Sequence, residues 1–190
     1  MAVQSSPSYG IFFGGVGQFA AAMWAYRARD AVAAAFNGSW AAFWLGTSIM
    51  YLLVPTGAVF VPARDAMFAP LGMWFMYMAA VSFTTSLAAL ARSPGGFAAQ
   101  AVVGVASVLA AIGLLSGSSG WDTAAGWAFV AAAALSFYIG AATMLDNVYG
   151  IIALPLLTWR RGENTVGTST GEPIQFADND PGVKVGQQPR

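Results

Sequence analysis

The sequence predicts an all-α membrane protein: a polytopic helical bundle of about five transmembrane helices followed by a C-terminal half-helix. Three observations predict it. Of the 190 residues, 57% are hydrophobic and only 8% are charged, against ~25% charged in an average soluble domain. The apolar residues gather into runs of the ~20 residues that a helix needs to cross a bilayer. These runs are rich in Ala and lack the alternation of period two that marks a membrane β-barrel.

Five stretches have the length and character of spans. The first runs from about Tyr9 to Tyr26 and ends at Arg27, Arg29 and Asp30. The second covers about Ala31 to Leu53 and stops before Pro55. The third covers about Ala66 to Ala91 and ends at Arg92-Ser93-Pro94-Gly95-Gly96. The fourth covers about Phe97 to Leu115 and closes at Ser116-Gly117-Ser118-Ser119-Gly120. The fifth covers about Thr123 to Leu145 and meets Asp146-Asn147. Charge clusters and Gly/Pro/Ser runs break helices and favour water, which sets these limits. Val148 to Trp159 is apolar but too short to cross, and Pro155 interrupts it, so it reads as a half-helix. The expected organisation is a short N-terminal segment (1–8), a transmembrane helical domain (9–159) and a disordered cytoplasmic tail (160–190) poor in apolar residues.

Composition narrows the function. The chain has no Cys and no His. That excludes thiolate or imidazole metal sites and nucleophiles of the Cys or Ser–His kind. No cofactor, metal or catalytic residue is expected, and no loop is long enough to hold an enzyme domain. Eight basic side chains balance eight acidic ones, so a nucleic-acid surface is not expected. The expected partner is the lipid bilayer.

Arginine sets the expected orientation. One side carries Arg27, Arg29, Arg92, Arg160 and Arg161; the short loops of the other carry only Arg64. The positive-inside rule makes the richer side cytoplasmic, with the N-terminus outside, the C-terminus inside and the protein multi-pass in the plasma membrane. The N-terminus lacks the basic n-region of a secretory signal. Tyr9, Trp24, Tyr26, Tyr51, Trp121, Trp127 and Tyr149 lie near span ends, as interfacial anchors do.

Polar and aromatic residues inside the spans are the functional candidates. Gly14-Gly15-Val16-Gly17 lets helices approach closely or thins a wall. Gln18 follows at once, and an amide in hydrocarbon needs a partner or water. In the second span Trp40, Phe43 and Trp44 share a face at i, i+3 and i+4. Asn37 and Ser39 precede them; Thr47 and Ser48 follow. Rings at mid-span pack against a neighbouring helix or form an apolar constriction. In the third span Ser82, Thr85 and Ser86 share a face. Their hydroxyls line a path or bond back to their own helix. Tyr138 and Thr143 lie inside the last span. Asp30 and Asp146 are the acids beside span ends on the cytoplasmic side, either solvated ends or proton-coupling groups.

These motifs together resemble the acetate uptake transporter family of YaaH/SatP-like acetate–succinate permeases. Gly10-Ile11-Phe12-Phe13-Gly14-Gly15-Val16-Gly17-Gln18 is similar to the family's second helix. The resemblance continues through Tyr26, Asp30, Ser39 and Phe43-Trp44-Leu45. It resumes at Leu71-Gly72-Met73-Trp74 and Thr85, then at Gly126-Trp127 through Tyr138, Leu145 and Gly150 to Leu154-Pro155. Two departures stand out. The family's first helix, opening Asn-Pro-Ala-Pro-Leu-Gly, has no counterpart; Ala69-Pro70-Leu71-Gly72 echoes it only by coincidence. Two places where the family tends to carry Glu hold Ala25 and Thr143.

The resemblance implies a permease for small monocarboxylates such as acetate, with succinate as a second substrate, working as a hexameric homo-oligomer. Its expected route residues are Gln18, Asn37, Ser39, Phe43, Trp44, Thr85 and Tyr138, with Asp30 or Asp146 for proton coupling. Two alternatives stay open at this point: a non-transporting subunit or truncated homologue that assembles with a complete transporter, and a permease for another small solute such as ammonia.

Overall fold

The structure, a computed structural model, describes residues 7–28, 30–58, 64–91, 93–149, 154, 155 and 157. Of residues 64–67 and 147 it describes the backbone only. Every regular element among the described residues is helical. A π-helical segment, Gly10–Gly17, runs directly into α1, Gln18–Arg27. The others are α2 (Ala31–Leu53), α3 (Arg64–Leu90), α4 (Pro94–Ser116) and α5 (Ser119–Tyr149).

Phe68–Leu90, Pro94–Ser116 and Ser119–Asp146 are long and apolar enough to cross a membrane by length and composition. The 23 residues of α2 also suffice in length, since about 1.5 Å per residue gives ~34 Å against a ~30 Å hydrocarbon core. The protein is a membrane protein.

Helix ends explain where the boundaries differ from the sequence expectation. Ser93-Pro94-Gly95-Gly96 reads as a break, yet α4 begins at Pro94. Ser93 is an N-cap whose hydroxyl accepts from the Gly96 N–H at 3.0 Å, and Pro94 stands at a first-turn position that needs no N–H donor. Gly117 closes α4 in the left-handed region, φ 67°, a conformation glycine adopts without a Cβ penalty. The last helix continues to Tyr149, so Val148 and Tyr149 belong to it. Leu154, Pro155 and Leu157 are not helical, and the remainder of the expected half-helix and the whole tail 160–190 lie outside the described residues.

The described helices fall into two compact units divided between Ala66 and Met67. In the first, the α1 segment and α2 form an antiparallel hairpin. Gly10 lies against Ser48, Gly14 against Trp44, Gly15 against Leu45, and Gly38 against Ala22. Small residues on one helix here receive large side chains from the other, which is how helices gain contact without a hydrophobic drive between them.

In the second unit α3, α4 and α5 pack on one another. Gly72 of α3 meets Leu115, Phe83 meets Gly104, and the Ser86 hydroxyl donates to the Phe97 carbonyl at 2.9 Å. This order makes α3 and α4 antiparallel. Gly113 meets Asp122 and Gly95 meets Ile139, so α4 and α5 are antiparallel too. Phe75 and Phe129 close the triangle, with ring centroids 6.2 Å apart.

Candidate functional site

The first unit brings together two of the expected route residues. Gln18 opens α1, immediately after the π-helical segment. Such segments are rare and concentrate at functional sites. Its Nε2 donates to Asn37 Oδ1 of α2 at 3.2 Å. Asn37 in turn donates from Nδ2 to the Ala33 carbonyl at 2.9 Å. The pair therefore answers the need of an amide in hydrocarbon by joining the two helices. Ser39 lies two residues beyond Asn37, a rotation of about 200°, and so sits on the other side of α2.

Three of the aromatic residues of α2, Trp40, Phe43 and Trp44, divide by role. Trp40 and Phe43 are buried, each 4% exposed, whereas Trp44 is 40% exposed. The Phe43 ring stands edge-on to Trp40 and to Trp44, at 5.4 Å from each. Such edge contacts hold the rings at fixed angles. Trp44 also covers Gly14, so its ring serves the hairpin directly.

Asp30 is the N-cap of α2. Its Oδ1 accepts from the Ala33 N–H at 3.0 Å. A carboxylate at a helix N-terminus stabilises it through the free N–H groups and the helix dipole. Asp146 lies in the last turn of α5, partly buried, with no hydrogen bond or ion pair among the described residues.

In the second unit many hydroxyl hydrogens are turned to main-chain carbonyls. Thr85 donates to Val81 at 2.9 Å and lies 3.2 Å from the Ser82 carbonyl. Ser107 donates to Val103 at 2.8 Å, and Ser86 to Phe97 of the next helix. Tyr138 donates to the Pro155 carbonyl at 3.0 Å. Nearby, the Leu157 carbonyl accepts from both Ser93 Oγ, at 2.9 Å, and the Gly95 N–H, at 3.1 Å. Tyr138 thus ties α5 to the segment after it.

Sequence reasoning overlooked Gln100. Its Oε1 is, among the described residues, the one buried side-chain nitrogen or oxygen without a hydrogen-bond partner. Leaving such an acceptor unpaired costs about 1–3 kcal/mol. The signal was present: a lone amide in the apolar run from Phe97 to Leu115 is the same anomaly that singled out Gln18.

The sequence pattern of the GPR1/FUN34/yaaH family matches residues 5–159. The chain is 25% identical over 147 residues to the succinate-acetate/proton symporter SatP of Escherichia coli (strain K12), covering 77% of this chain and 76% of that protein. The protein of the same name from Shigella flexneri matches to the same extent. Among solved structures, that of the bacterial acetate channel SatP superposes with a TM-score of 0.72 at 22% identity, covering 78% of this chain and 80% of that one. At that identity the likeness establishes the fold. With the family pattern running across both units and most of the sequence, the chain belongs to the GPR1/FUN34/yaaH family.

Proposed function

We propose that this protein is a membrane permease for small monocarboxylates, acetate first, with succinate as a larger second substrate. The observation that carries the reading is the family match over residues 5–159. The names of the SatP relatives, an acetate–succinate symporter and an acetate channel, give the substrate class.

The chemistry of the chain supports it. A small carboxylic acid entering a narrow apolar passage loses most of its water. Neutral polar groups replace that water without trapping the solute as a fixed arginine would trap the anion. The amides of Gln18 and Asn37 are such groups; Ser39, Thr85 and Tyr138 are the further proposed route residues, Thr85 and Tyr138 through oxygen lone pairs, since their hydrogens go to Val81 and Pro155. Phe43, held edge-on between two indoles, is the proposed width-setting ring, with Trp44 beside it. The protein is proposed to act as a homo-oligomer, the hexamer that family resemblance implies. Its arginine-rich ends face the cytoplasm by the positive-inside rule, with the N-terminus outside and the tail 160–190 inside. Of the two candidate coupling acids, Asp30 caps α2 and Asp146 lies in the last turn of α5.

Uptake of labelled acetate into liposomes holding the full-length chain tests the reading. Saturable uptake above protein-free liposomes, competed by propionate and succinate but not by ammonium, is expected. Uptake no faster than through lipid alone would overturn it.

A further inference from the structure

Gln100 sits at a defined level of the second unit. It lies between Phe97, whose carbonyl accepts from Ser86 of α3, and Gly104, which receives the ring of Phe83. Gln100 and Gly104 are one helical turn apart and share a face, so the amide leaves α4 on its α3 side. The same stripe continues through Gly104, Ser107 and Ala111, all small and all buried. Opposite it, α3 buries Ser82, Thr85 and Ser86.

The polarity of this interior is one-sided. The hydrogens of Thr85, Ser86 and Ser107 are directed to carbonyls, so what these hydroxyls still offer is oxygen lone pairs. Gln100 Oε1 is a further acceptor without a donor. An anion can use only the N–H donors of Gln100 Nε2 and leaves Oε1 unanswered. A neutral carboxylic acid brings an O–H. Among the described residues of this unit no charged side chain stands near. On α3 between Gly72 and Ser86 the one titratable group is Tyr77, half exposed, its ring tilted against Trp74. On α5 between Asp122 and Ile139 it is Tyr138, whose hydroxyl donates to Pro155. On α4 there is none.

We propose that Gln100 receives the substrate as the protonated acid. The acid's O–H donates to Oε1, and Nε2 donates to the acid's carbonyl oxygen. An amide and a carboxylic acid are complementary in this two-point way, whereas a carboxylate can use the N–H alone. The terminal torsion of Gln is broad and roughly two-fold, so the amide turns to meet the acid at little cost. The proton enters on the acid's own oxygen and leaves when the acid ionises in water on the far side. No protein group changes its protonation. This inference rests on the transport reading and adds the species carried and the residue that selects it.

Acetamide is the probe, because it presents a donor and an acceptor as acetic acid does but does not ionise near neutral pH. Full-length protein in liposomes is assayed for labelled acetate uptake from pH 5 to 8, with protein-free liposomes subtracted. Acetamide is expected to compete with wild-type uptake with the same potency at every pH. Acetate uptake itself is expected to fall about tenfold per pH unit, following the neutral acid. Gln100→Met keeps the length and removes the amide. It is expected to lose about tenfold in uptake and to become insensitive to acetamide, while melting in detergent no lower than wild type.

Wild-type uptake that acetamide does not inhibit would overturn the inference. So would Gln100→Met uptake equal to wild type with acetamide competition unchanged. The acetamide test on wild type needs no variant and stands even if Gln100→Met misfolds. Wild-type protein that carries no acetate at any pH would instead refute the transport reading itself.

Discussion

The indole of Trp44 fills the space that a side chain at residue 14 would need: a Cβ built on Gly14 would lie 2.5 Å from Trp44 Cγ. The contact fixes how α2 lies on the segment before α1. Gly14→Ala is therefore expected to lower thermal stability in detergent by about 1–3 kcal/mol, the usual cost of overpacking. Trp44→Leu in the same chain should recover part of the loss. Gly126→Ala, where a Cβ meets nothing within 4 Å, is the control and should be neutral. Equal melting of Gly14→Ala and Gly126→Ala would contradict the contact.

The amide pair makes a second prediction. Gln18→Leu and Asn37→Leu each break one helix-to-helix hydrogen bond. A double-mutant cycle should give a coupling of about 0.6–1.7 kcal/mol, the range found between membrane helices. If the pair also serves the substrate, each single variant reduces acetate uptake by more than its loss of stability explains. Additive single effects on both stability and uptake would show that the two side chains act independently.

Some of this was legible in the sequence and some was not, for physical reasons. The apolar runs of about 20 residues fix the helices, because lipid leaves the backbone no other partner. The glycines Gly10, Gly14 and Gly15 and the face of Trp44 and Ser48 were each visible, but their pairing depends on the register of two helices, which no local pattern carries. Ser93-Pro94 has the signature of both a stop and a start; only the capping bond to Gly96 decides it. For Thr85 the sequence left both a path-lining and a back-bonded hydroxyl open, and for Tyr138 it gave no partner, because a sequence does not say where a hydroxyl hydrogen points. In the fold they donate to Val81 and Pro155.

Phe43 provides a third test. If its ring sets the width of the route, Phe43→Ala should admit propionate and butyrate at rates approaching that of acetate, with little change in the amount of protein made. Initial rates for the three acids in one liposome preparation measure it. An unchanged ratio among them would remove Phe43 from the constriction.

The two acids should separate cleanly. Asp30→Ala removes a helix cap and is expected to cost about 0.5–2 kcal/mol in stability, with acetate uptake per folded molecule retained. Asp146→Asn should leave stability near wild type. With the proton riding on the acid, uptake in both variants should keep its fall with rising pH. A flat pH profile in Asp146→Asn would assign the proton to Asp146.

The chain contains no cysteine, so orientation can be read from single cysteines without background. Ser118→Cys, between α4 and α5, is expected to react with a membrane-impermeant maleimide in intact cells. Ala28→Cys, between α1 and α2, should react only after the membrane is opened. The opposite pattern would invert the topology.

The most direct measurement is electrical silence with mass flow: labelled acetate entering liposomes that hold the full-length protein, recorded together with membrane potential and internal pH. The account expects saturable entry that acidifies the interior and moves no net charge, reduced about tenfold in Gln100→Met. Entry that builds a negative potential inside without acidification would mean that the bare anion crosses, and would contradict it.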